Sequence, residues 1–191
     1  MDDLTHLAEL IQSRNQVAKD IASLIGRPAN IGHVGEYIAA DVFRIVLEAS
    51  AAQKGIDGRF ADGPLQGRSV NVKWYGKREG LLDITPTFLP DYYLVLAGPK
   101  APAASSRGGM RPWVICSVHL FDAHALVGDL RWHGITIGVA TSVRQRLWDE
   151  AEIYPVQRNT ALVLSPEQRR LLALFEGSRP PSHVILRRDG T

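Results

Sequence analysis

Three residues in the middle of the chain have the types and spacing to do chemistry together: Asp57, Asn71 and Lys73, read as Asp, thirteen intervening residues, then Asn-x-Lys. A carboxylate and an amide oxygen are hard donors of the kind Mg²⁺ accepts while it keeps several waters, and the Val72 backbone carbonyl between Asn71 and Lys73 is a third. Lys73 beside them could orient an attacking water or offset charge building on a phosphate. One patch would then hold metal, nucleophile and phosphate.

Two extended runs, Gly55 to Phe60 and Arg68 to Tyr75, flank the turn Ala61-Asp62-Gly63-Pro64, which predicts an antiparallel hairpin with a longer loop. Across such a hairpin Asp57 meets the Asn71 to Lys73 segment, and period-two alternation puts Asn71 and Lys73 on one face. Ahead of it, Leu4, Leu7, Ile11, Val17, Ile21 and Leu24 step along an amphipathic helix over residues 3 to 25, stopped by Gly26 and Pro28. A second helix is expected from Val34 to Ala49, with Val34, Ile38, Val42 and Ile45 on one stripe and Glu36 off it. Asp91 to Ala97 and Trp113 to His119 read as buried strands, with a Pro, Ala, Ser and Gly loop from Gly98 to Met110 between them. Helices are expected at Leu120 to Val127, at Thr141 to Ile153, and from Pro166 to Glu176 with Ser165 as N-cap. The plan is α/β (α+β), one central mixed β-sheet flanked by helices. It divides into an N-terminal helix (1–30), a core (31–155) and a C-terminal helix with a basic tail (156–191), together one domain.

Net charge is only +2, but its distribution is uneven. Residues 1 to 50 hold four Lys/Arg and seven Asp/Glu, whereas Gln53 to Arg78 hold six cations (Lys54, Arg59, Arg68, Lys73, Lys77, Arg78) against Asp57 and Asp62. A basic surround to an acid suits a polyanionic substrate handled with a metal ion; solvated surface is the plain alternative. The lone Cys116 excludes an intrachain disulfide, and the absence of a signal-like or 20-residue apolar segment predicts a cytoplasmic protein with no membrane association. There is no phosphate-binding P-loop, no His-Glu-x-x-His and no Gly-x-Ser-x-Gly elbow.

At Gly55-Ile56-Asp57 and Asn71-Val72-Lys73 the chain resembles the PD-(D/E)XK nuclease superfamily, of restriction-endonuclease-like fold, with Asn71 where the second acid usually stands. Glu36 in His33-Val34-Gly35-Glu36 takes the place of the helix Glu common in that superfamily, and Gln53 that of a polar residue ahead of the acid. The resemblance covers residues 33 to 97 and implies a core of helix, three strands, helix and strand, departing from this chain after Ala97. It implies a Mg²⁺- or Mn²⁺-dependent endonuclease acting on DNA, as in defence against foreign DNA. Asp57, Asn71, Val72 and Glu36 would hold the metal and Lys73 would serve as catalytic cation. Gln53, Tyr75, Lys77 and Arg78 would touch the nucleic acid, and a homodimer would be needed to cut both strands. An amide is a poorer Mg²⁺ ligand than a carboxylate, so the alternative is an inactive module of the same fold that binds DNA or a protein; a third is an unrelated enzyme of small phosphorylated substrates.

Plainer roles stand beside these. Asp57 could shape a turn before Gly58, Lys73 could stack on an aromatic ring, and Glu36 could favour the helix dipole. Trp74 is expected in the core.

Overall fold

A computed structural model describes residues 2–48, 55–101 and 111–177. Gln53, most of the loop ahead of Met110 and the basic tail from Ser178 lie outside the described residues.

The chain opens with α1 (Asp3–Ile25), closed by Gly26 in the left-handed region, and α2 (Ile31–Phe43). At the start of α2 the Asn30 side chain accepts the His33 N–H, the N-cap that satisfies an otherwise unpaired helical donor. α2 stops six residues short of the expected Ala49. Arg44 turns into the left-handed region at φ 52°, and Ile45–Leu47, with two β-branched residues, leaves as β1. Ile45 thus keeps its predicted place in the core, but from a strand.

β2 (Gly58–Phe60) and β3 (Ser69–Tyr75) form the expected hairpin around a 3₁₀ turn at Gly63–Leu65. β1 and β2 pair so closely that a Cβ on Gly58 would lie 2.6 Å from the Val46 carbonyl and from Ile45, so only glycine fits there. After β4 (Leu81–Leu82) the chain returns as β5 (Tyr92–Ala97), parallel to β3 from Val70↔Tyr92 to Tyr75↔Ala97.

β6 runs Ser117–Asp122, starting four residues and ending three residues later than expected. The apolar run splits: its first part does not enter a ladder, with the Ile115 N–H bonded to the Phe175 carbonyl. Consequently the next helix, α3 (Ala123–Trp132), starts after Asp122, whose side chain caps it. The expected helix over 141–153 is shorter and flanked by strands: β7 (Thr141–Ser142), α4 (Gln145–Ala151), β8 (Glu152–Tyr154). α5 (Pro166–Ala173) begins as expected, Ser165 and Gln168 forming a capping box.

The result is a six-stranded mixed sheet in the order β1-β2-β3-β5-β6-β8, with only β3 and β5 parallel, and a small β4-β7 ribbon. One face buries Val70, Val72, Trp74, Leu94 and Leu96 against α2 and α5. The other buries Tyr93, Val95 and Phe121 against α3, α4 and the ribbon. α2 lies so close to β3 that a Cβ on Gly35 would sit 3.0 Å from that of Trp74. The helix implied between the third and fourth core strands is absent: the crossover from β3 to β5 is the ribbon strand and loop. No described helix is long and apolar enough to cross a membrane.

Candidate active site

The site forms where β2 and β3 part. Strand pairing ends at Gly58↔Val70, and one residue earlier the Asp57 N–H donates to the Val70 carbonyl while Asp57 Oδ2 accepts the Val72 N–H at 2.7 Å. A carboxylate has replaced a backbone carbonyl as the partner of β3. Alternation along the strand sends the Val72 carbonyl to the same edge as its N–H, beside Asp57. Asp57 therefore does more than shape a turn.

Glu36 reaches this edge from α2 and ion-pairs with Arg27, from the turn between the two helices. Burial pushes the Asp57 carboxyl above its ordinary range; the Val72 N–H opposes that, the negative charge of Glu36 adds to it, and Lys73 and Arg27 pull it back. Burial likewise pushes the Lys73 ammonium down, against the carboxylates of Asp57 and Asp83. Its Nζ lies 5.9 Å from the centre of the Tyr93 ring, on the face away from α2, so the stacked role and the charged role coincide. Asn71 precedes it on that face, opposite Tyr93, and is 8% exposed. Its Oδ1 is buried with no hydrogen-bond partner among the described residues.

The structure thus joins Asp57 to Val72 and brings it within electrostatic reach of Glu36 and Lys73, with Asn71 on the face of β3 away from α2 and Glu36. A divalent cation fits this donor set in kind: a buried acceptor without a donor, a carboxylate with one oxygen engaged, and a strand carbonyl on the same edge. Glu36 would have to exchange Arg27 for the cation. Among the described residues no three His, Cys, Asp or Glu side chains gather as a ligand cluster, so Asn71 and a carbonyl are indispensable to such a site.

The expected substrate contacts are more scattered. The Tyr75 hydroxyl accepts the Asp83 N–H at 3.0 Å, and burial raises its pKa far out of reach. The Arg78 guanidinium lies 5.9 Å from the Trp148 ring, on the wall of an open cleft of about 540 Å³ shared with Lys100 and Gln145. Lys77 is half-buried at the end of β3. The ends of β3 and β5 pinch together here, since a Cβ on Gly98 would fall 2.2 Å from the Gly76 carbonyl oxygen.

Sequence reasoning missed Asp83 and Tyr93. Asp83 sits in the Gly-Leu-Leu-Asp-Ile stretch of the crossover, which carries no periodic signal, and its Oδ1 holds the Ala140 N–H at 2.7 Å. Tyr93 looks like one more apolar strand residue; its place under Lys73 depends on the parallel register. His119 is buried and unrelated to the edge, with Nδ1 2.8 Å from the Trp148 carbonyl and Nε2 3.0 Å from Ser117 Oγ.

No protein-family model matches the chain, and comparison with curated proteins returns no match.

Proposed function

We propose that the chain is a divalent-metal-dependent nuclease acting on DNA, built on a restriction-endonuclease-like core. The carrying observation is the parted edge at Asp57: a half-buried carboxylate held by the Val72 N–H, with Glu36 on one side and the partly desolvated Lys73 on the other. The antiparallel β1-β2-β3 meander followed by a strand parallel to β3 supports the same reading.

Asp57, Asn71 and the Val72 carbonyl would hold the metal, with Glu36 as a further ligand or as the residue that orients a water. When bound, a divalent cation polarises the phosphate and favours deprotonation of water. Asp57 must be ionised for this, and the Val72 N–H and Lys73 favour that form against burial. Lys73 Nζ offers N–H donors toward a phosphate oxygen, and its packing over Tyr93 restricts where that charge can go. The flanking Lys77 and Arg78 would contact backbone phosphates without reading sequence.

A specific observation favours a second reading, a DNA-binding module of the same fold without cleavage. Asn71 supplies an amide where a carboxylate would bind metal better, and Glu36 is already paired with Arg27. Plasmid nicking in Mg²⁺ or Mn²⁺ separates the two. The nuclease reading expects nicked product that disappears with EDTA and in Asp57→Asn and Lys73→Met. Salt-sensitive DNA binding with no product in either metal favours the module, and nicking that survives both substitutions rejects this site.

A further inference from the structure

Past the end of β3 the chain runs beside the segment that leaves β5, and an isolated parallel bridge sets Arg78 next to Lys100. The backbone fixes both residues: the Arg78 N–H donates to the Pro99 carbonyl at 2.9 Å, and the Arg78 carbonyl accepts the Ala101 N–H at 3.0 Å. Two like charges are thus held side by side, an arrangement that works against folding unless an anion joins them. Glu79, the one acid in the same cleft wall, is taken up by Arg111 through two hydrogen bonds of 2.7 and 2.9 Å. Neither Arg78 nor Lys100 has an ion-pair partner among the described residues.

The cleft these residues line, about 540 Å³, has the size of a small-ligand site. Its polar lining is rich in donors, since the exposed Ser142 hydroxyl and Gln145 amide join the two cations. Its inner wall is Trp148, 1% exposed, whose indole Nε1–H has no acceptor among the described residues. His119 and Phe121 pack edge-to-face with that ring, but both His119 nitrogens are engaged, with the Trp148 carbonyl and Ser117 Oγ, and Phe121 has no acceptor to offer. A buried donor left without an acceptor is rare in a folded protein and calls for an unseen partner.

We propose that this cleft binds a terminal phosphate, the phosphomonoester of a free nucleotide or of a 5′ DNA end, with Arg78 and Lys100 sharing its charge and Trp148 donating from the inner wall. Charge selects the class. A phosphomonoester brings about −1.5 to −2 and three acceptor oxygens at neutral pH, which matches two cations, whereas an internal diester brings only about −1. Leu81 and Val143 give the cleft an apolar stretch for the sugar or base. It opens beyond the C-terminal end of β3, whereas Asp57 joins that strand at Val70 and Val72, so the phosphate held here is an anchor and not the bond that is cut. The site stands on the cleft alone and holds whether or not the parted edge cleaves DNA.

Calorimetry of the full chain in EDTA, where metal-dependent cleavage is shut off, tests it. Deoxyadenosine monophosphate (dAMP) should bind once per chain, inorganic phosphate less tightly and deoxyadenosine not at all. Arg78→Gln and Lys100→Gln, neither of which breaks an ion pair, should each weaken dAMP binding about 10-fold or more with no fall in melting temperature. In ¹⁵N spectra the Trp148 indole N–H should shift on titration with dAMP, while that of Trp132, 86% exposed and outside the cleft, stays in place. Two oligonucleotides that differ only in a 5′-phosphate or 5′-hydroxyl separate the sources. Tighter binding of the phosphorylated strand marks a DNA end as the ligand; dAMP binding with both strands alike marks a free nucleotide. The proposal is overturned if neither dAMP nor the 5′-phosphate adds affinity, if deoxyadenosine binds as tightly as dAMP, or if both substitutions leave the affinity unchanged.

Discussion

The two faces of β3 show what a strand does when it only packs and what it does when it carries polar cost. Val70, Val72 and Trp74 point toward α2 and meet apolar side chains, close enough that a Cβ on Gly35 would crowd Trp74. Asn71 and Lys73, alternating with them, are also largely withdrawn from water, but one keeps an unpaired acceptor and the other an ammonium that burial disfavours. A face built for stability would have filled those positions with Val or Leu. The difference teaches that the first face can be read as packing alone, whereas the second holds strain that packing does not require.

The comparison can be broken most directly at the charged groups. On the nuclease reading, Asp57→Asn and Lys73→Met should each lower metal-dependent nicking about 1,000-fold or more. Both should leave the melting temperature unchanged or higher, because a partly desolvated charge is removed. Loss of activity through unfolding, seen as a lower melting temperature, would erase the contrast between faces. On the other face Trp74→Ala should cost about 3–5 kcal/mol in denaturant unfolding. It removes a buried ring whose Nε1–H donates to the Val114 carbonyl, and the protein that remains folded should keep its specific activity.

The buried His119 sharpens the comparison through pH. Burial pushes its pKa down to about 4 from an ordinary 6.5, the Trp148 carbonyl opposing and Arg78 adding to the shift. The unfolded chain therefore takes up a proton near pH 6.5 that the folded chain refuses until about pH 4. The stabilisation is complete above pH 6.5 and is lost as pH falls through that window, on the order of 3 kcal/mol in all. Unfolding of His119→Phe between those pH values should show a shallower slope. Any activity has its own acid limb. Because the Asp57 carboxyl is raised, nicking should fail on acidification at a pH above the ~3.9 of a free Asp.

The smallest expected effect is at Asn71. Replacing it with Leu removes an unpaired buried acceptor and should add about 1 kcal/mol to stability and, on the nuclease reading, weaken metal binding. Asn71→Asp should tighten Mn²⁺ measured by calorimetry; weaker binding would show that Oδ1 is no ligand.

Much of this was legible in the chain itself where spacing is periodic. The hairpin, the strand after Asp91 and the capped helix at Ser165 need only alternation and turn or capping chemistry, and the grouping of Asp57 with Lys73 follows from the hairpin. Short elements were not legible. Ile45–Leu47 continues a helical stripe in sequence and becomes a strand only because Arg44 turns the backbone and β2 offers a partner. Asp83 and Tyr93 come to Lys73 through the crossover and the parallel register, tertiary facts with no local signature.

Asp83 also makes the edge observable from a distance. Its Oδ1 holds the amide of Ala140, which sits at φ 55°, a left-handed conformation that costs a non-glycine residue about 1–2 kcal/mol. The Ala140 amide proton is thus a built-in spectroscopic reporter, whose chemical shift and exchange rate follow the position of the Asp83 carboxylate, a charged neighbour of Lys73. On the nuclease reading, metal or DNA added to the protein could be followed there by NMR, at an atom outside the proposed site.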